Sequence, residues 1–106
     1  MKKEDWEKLY EILNGIYSRF RIEYNNMRNG KNRKIRDRGA YNVNNEITLA
    51  ERWIEKYPES FDLMTGKNAS GFDKQIVWDE FLLPNWFNVD MPEFLERIKK
   101  KIESYE

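Results

Sequence analysis

The sequence predicts an all-α fold, a small irregular bundle of about four helices, with residues 1–106 forming a single globular domain. Three observations carry that prediction. Trp6, Tyr10, Leu13, Tyr17, Phe20, Tyr24 and Met27 recur at alternating spacings of four and three, which places them on one stripe of a helix. Met91, Leu95, Ile98, Ile102 and Tyr105 repeat the same spacing near the other end. The composition, 40% hydrophobic and 15% aromatic with 36% charged in 106 residues, is that of a folded chain large enough for one core.

The first helix is expected over about residues 3–27. Leu9, Ile12 and Ile16 widen its apolar stripe, as packing inside a globule requires and a narrow two-stranded seam does not. Seven such positions could equally face a second copy of the chain, so a homodimer stays open. Phe20, Ile22 and Tyr24 also alternate with Arg21 and Glu23, so the alternative is an α+β fold with a short hairpin within residues 19–44. Residues 25–46 contain seven asparagines with Gly30 and Gly39, and asparagine side chains compete for backbone hydrogen bonds. We expect the long connection there.

Ile47, Leu49, Ala50, Trp53, Ile54 and Tyr57 follow helical spacing, with Asn45 or Thr48 as N-cap and Pro58 as terminator. Residues 59–71 read as an irregular loop anchored at its front by Phe61, Leu63 and Met64. Asp73 can cap a third helix bearing Ile76, Val77, Trp78, Phe81, Leu82 and Leu83, apolar nearly all round and ended by Pro84. Asp90 and Glu93 imitate a capping box for the last helix, with Pro92 in its first turn. Lys99, Lys100 and Lys101 load its end with the sign the helix dipole prefers.

The chain has no histidine and no cysteine. That removes the commonest general base, thiol nucleophiles, disulfides and most transition-metal ligands. Gly66 and Gly71 have the separation found in a phosphate-binding loop, but Phe72-Asp73 stand where Lys-Ser/Thr is needed. The pairs Glu7/Glu11 and Glu51/Glu55 lie one turn apart on expected wet helix faces, and no run has calcium-loop spacing. We therefore expect no catalytic residue, no cofactor and no metal. Charged residues follow Met1-Lys2-Lys3 directly, and no apolar run reaches a membrane span. The expected address is a reducing, soluble compartment, the cytoplasm, where the Asn68-Ala69-Ser70 sequon is without consequence.

Nineteen basic and nineteen acidic side chains cancel overall. Their distribution does not: residues 21–38 carry a local excess of five positive charges, which residues 39–106 balance. Arg28, Lys31, Arg33, Lys34, Arg36 and Arg38 form a basic segment, read as a loop flanked by Tyr24 and Tyr41, that can follow a phosphate backbone or meet an acidic protein. A second segment sets Trp78, Trp86 and Phe87 around Asp79 and Glu80. A domain this small cannot bury every side of such a helix, so part of the segment is expected to form an acidic-aromatic docking surface. The expected function is a non-enzymatic interaction module, an inhibitor or adaptor of bacterial, phage or plasmid type that binds a nucleic-acid-handling protein; the alternative is direct nucleic-acid binding through residues 28–38. Membrane is not an expected partner.

Overall fold

The computed structural model describes residues 1–66 and 70–105. Among them are five helices and no strand: α1 (Lys3–Asn29), α2 (Arg33–Lys56), α3 (Pro58–Thr65), α4 (Gly71–Phe81) and α5 (Pro84–Glu103). Helix accounts for 88% of the structure, so the fold is all-α, and the alternative hairpin region lies within α1 and α2. The sequon residues Asn68 and Ala69, like the middle of the expected loop, fall outside the described residues.

The largest departure from the sequence reading is at residues 25–46, which form no long connection. α1 runs on to Asn29, the chain turns over residues 30–32, and α2 begins at Arg33. The asparagines are absorbed by helical geometry: Asn29 donates to Asn25 one turn back at 3.0 Å, and Asn32 caps α2 by accepting from the Ile35 N–H at 2.9 Å. Asn42 reaches across to Glu23 at 2.9 Å. Packing of α2 along α1 outweighs the weak local preference of these residues for turns. Gly39 permits it, for a Cβ there would stand 2.6 Å from the Met27 nitrogen and 2.9 Å from the Glu23 carbonyl.

Two further boundaries move. Pro58, expected to end the preceding helix, and residues 59–65, expected as the front of the loop, make the short helix α3, with the proline at its start, where a missing N–H is tolerated. Pro84 likewise opens α5, so Asp90, Pro92 and Glu93 lie inside that helix and form no capping box. Each proline removes the donor for a carbonyl four residues earlier, and at Pro58 and Pro92 a side chain reaches that carbonyl. The Ser60 hydroxyl, fully buried, shares its one proton between the Tyr57 carbonyl at 2.6 Å and the Ile54 carbonyl at 3.2 Å, which also accepts from the Tyr57 N–H at 3.1 Å. Tyr17 of α1 donates its hydroxyl to the Asn88 carbonyl at 2.9 Å, the group Pro92 leaves without a helical partner.

This repair predicts a double-mutant cycle. Tyr17→Phe should destabilise the protein by about 1–2 kcal/mol by leaving a partly buried carbonyl unpaired. In a Pro92→Ala background, where the helix restores its own bond, the same change should cost less than half as much. Thermal unfolding of the four proteins by circular dichroism measures the difference.

α1 and α5 run antiparallel, tied by Tyr17–Asn88, by the Tyr24 hydroxyl on Asn85 at 2.7 Å, and by the Trp6 indole on Tyr105 at 3.2 Å. One core joins all five helices. Trp6, Leu9, Leu13, Ile16 and Phe20 meet Val43, Ile47, Ala50 and Ile54 of α2 and Phe87, Met91, Phe94, Leu95 and Ile98 of α5; Met64, Trp78 and Phe81 complete it. The α1 stripe is thus spent on packing within the chain. Its tyrosines lie at the edge of that face, half-buried, which lets the Tyr17 and Tyr24 hydroxyls reach polar partners.

Candidate interaction surfaces

Two surfaces stand out once the core is subtracted. The first is the tip of the α1–α2 hairpin. Arg28 lies in the last turn of α1, Lys31 sits in the turn, and Arg33, Lys34, Arg36 and Arg38 occupy four of the first six positions of α2. All six are exposed, and the predicted basic loop is instead a helical hairpin tip. Arg28 donates to the Tyr24 hydroxyl at 3.1 Å and Arg36 to the Gly30 carbonyl at 3.0 Å. Arg33 stands 3.6 Å from Asp37 in a wholly exposed pair, which contributes little in water. Helix α2 has no acidic residue in its first turn, so these cations face the positive end of its dipole, an arrangement that disfavours the helix.

The second surface is the shoulder made by α4 and the start of α5. Phe72 is 76% exposed, Leu83 52%, Trp86 51% and Val89 63%, with Ile76 and Val77 also exposed. The apolar residues of α4 are spread around its circumference among five polar ones, yet only its Trp78 and Phe81 are buried, because it packs on α3 and α5 and not on α1. Asp79 and Glu80 are exposed beside this surface, and Trp86 opens onto solvent. Trp78 and Phe87, predicted as partner contacts, belong instead to the core. The Trp78 ring lies 5.3 Å from Phe61 and 6.2 Å from Phe81, while Phe87 lies 4.6 Å from Phe20 and 5.3 Å from Phe81. Sequence reasoning passed over Phe72, Ile76, Val77, Leu83 and Val89 as surface groups, although the spread of apolar residues around α4 already signalled that some of them had nowhere to go.

Between the shoulder and α3 lies a cleft of about 220 Å³ with Met64, Val77, Phe81 and Phe94 in its wall and Asp90, Glu93 and Arg97 at its edge. Burial, reinforced by the Glu93 and Glu80 carboxylates, raises the pKa of Asp90 above the usual aspartate value. Arg97 offsets part of that repulsion, and it also binds Glu93 at 2.9 Å and the Leu63 and Met64 carbonyls at 3.2 and 3.0 Å, closing the end of α3. A broader open groove of about 860 Å³ runs between α1 and α5 past Tyr10, Tyr17, Arg21 and Leu95. Glu51, raised chiefly by burial and then by its neighbour Glu55, lies on α2 away from these clefts. Among the described residues, no group of three or more acidic side chains is placed to hold a metal ion, and no helix is long and apolar enough to cross a membrane.

Fold and surfaces together define a small helical bundle with a basic hairpin tip and an apolar, acid-rimmed shoulder. Neither a family model, nor a curated protein, nor a solved structure matches the chain.

Proposed function

We propose that the chain is a non-enzymatic interaction module that docks through the α4–α5 shoulder onto another protein, one offering an apolar hollow edged by lysine or arginine. The observation that supports this reading is the exposure of Phe72, Ile76, Val77, Leu83, Trp86 and Val89 within two neighbouring helices. Leaving such a group in water forgoes burial free energy that a partner can recover, and an exposed tryptophan is a common anchor. Asp79, Glu80, Asp90 and Glu93 lie on the same two helices, so a basic rim on the partner complements them. Basic grooves belong typically to proteins that handle nucleic acid, and a module seated in one acts as an inhibitor by occupancy or as an adaptor. Without imidazole or thiol in the chain, the recognition itself is its activity.

The test begins with affinity capture from host cells and continues with the captured protein purified and titrated against the chain. Changing Ile76 and Trp86 together to serine should leave the helical circular dichroism intact and weaken binding by about 100-fold or more, as loss of two anchor residues does. Unchanged affinity would sink the proposal. So would sedimentation showing that the shoulder is buried in a dimer of this chain, dissociated by the same two changes.

A further inference from the structure

The hairpin tip carries a second binding site, independent of the shoulder: we propose that it holds single-stranded nucleic acid, with Lys34 and Arg38 on the phosphates and Tyr41 stacked against a base. Lys34, Arg38 and Tyr41 are spaced i, i+4 and i+7 on α2, which at 3.6 residues per turn brings them onto one stripe within an arc of roughly 60°. That stripe lies outside the buried one, Gly39, Val43, Ile47, Ala50 and Ile54. Tyr41 is 68% exposed, and no hydrogen bond or ring contact holds it. Tyr24, the other flanking tyrosine, is engaged already: its ring lies 5.3 Å from Phe20 and its hydroxyl bonds Asn85.

Lys34 and Arg38 form one wall of a cleft of about 390 Å³ faced by Glu23, Asn26 and Ile35. Neither makes an ion pair, and Arg33, Lys31 and Arg28 extend the positive surface along the tip. Alternating cations with an accessible aromatic ring suits a strand whose bases are free to stack. A duplex hides its base faces, and an anionic membrane would call for apolar side chains at the tip, where Ile35, only 37% exposed, is the sole large one between Gly30 and Ala40. Lys34, in the first turn of α2, opposes that helix's dipole, and neither it nor Arg38 makes an ion pair or hydrogen bond among the described residues. A ligand accounts for them.

Fluorescence anisotropy with a labelled single-stranded 20-mer tests this. At about 50 mM salt the chain should bind in the micromolar range, with a log–log salt slope of about −2 to −4. Lys34→Ala with Arg38→Ala should flatten the slope by about 1.4, the share of two neutralised phosphates. Tyr41→Ala should weaken binding about tenfold at unchanged slope, and Tyr41→Phe should restore it. Melting temperatures should not fall in any of these variants, and removing Lys34 from the first turn should raise them. Absence of binding overturns the proposal, as does equal affinity for poly-glutamate or phosphatidylserine vesicles, or equal affinity for duplex with no effect of Tyr41→Ala. None of these outcomes bears on the shoulder, whose variants leave the tip intact.

Discussion

Phe87→Ala should lower stability by about 3–5 kcal/mol, the usual cost of removing a fully enclosed aromatic ring, and the neighbouring Trp86→Ala should change it by about 1 kcal/mol or less. The two residues are adjacent and of similar bulk, yet Phe87 is fully buried and Trp86 is 51% exposed. Phe87 sits 4.6 Å from Phe20 and 5.3 Å from Phe81, so it joins α1, α4 and α5 at one point. Its loss leaves a void that the Phe20 and Phe81 rings, anchored on two other helices, cannot close together. For a chain of this size the change corresponds to a fall in melting temperature on the order of 15 °C or more. Urea denaturation followed by circular dichroism checks both variants. A cost at Trp86 comparable to that at Phe87 would mean the tryptophan is structural and would remove it from the shoulder.

A second pair should show one substitution with two signs. Gly15→Ala is expected to stabilise by about 0.5–1 kcal/mol, because alanine is the better helix former and the nearest atom to the new methyl, the end of the Arg19 side chain, is 3.6 Å away. Gly39→Ala gains the same propensity but drives a methyl to within 2.6 Å of the Met27 nitrogen and 2.9 Å of the Glu23 carbonyl. Those are hydrogen-bonded backbone atoms of α1 and cannot swing aside. The helices must separate, and the net loss should be about 2 kcal/mol, within the range for overpacked cores. Because this crossing seats the first turns of α2, Gly39→Ala should also broaden the amide resonances of residues 33–38, read by two-dimensional NMR. Equal effects at the two glycines would contradict the close approach of α1 and α2.

Much of the architecture is legible in spacing. The periodicity beginning at Trp6 marks α1 and that of Met91 to Tyr105 marks most of α5, since an amphipathic stripe is a local property of residues three and four apart. The start of α2 is not legible, because Asn25, Asn29, Asn32 and Asn42 favour turns in isolation; Asn25 and Asn29 instead extend α1, Asn32 caps α2, and Asn42 lies in α2 where α1 supplies Glu23 and a close-packed surface. The prolines mislead for a related reason. A proline at a first helical position and one inside a helix look alike in sequence, and what tolerates Pro92 is Tyr17, seventy-five residues away.

The candidate surfaces divide the same way. Charge is countable, so the basic cluster of residues 28–38 is plain in the sequence, and its exposure follows from the cost of burying unpaired cations. Which aromatic residues of α4 and α5 face solvent is a matter of neighbours: Trp78 and Phe87 found Phe61, Phe20 and Phe81, whereas Phe72 and Trp86 did not. By itself, then, the chain determined its helical character, its lack of imidazole and thiol chemistry and the poles of its charge, all of which depend on residue type and short-range order. Only tertiary packing decided that the basic segment is a helical hairpin tip carrying Tyr41 and that the shoulder is apolar, because burial depends on contacts between residues far apart in sequence.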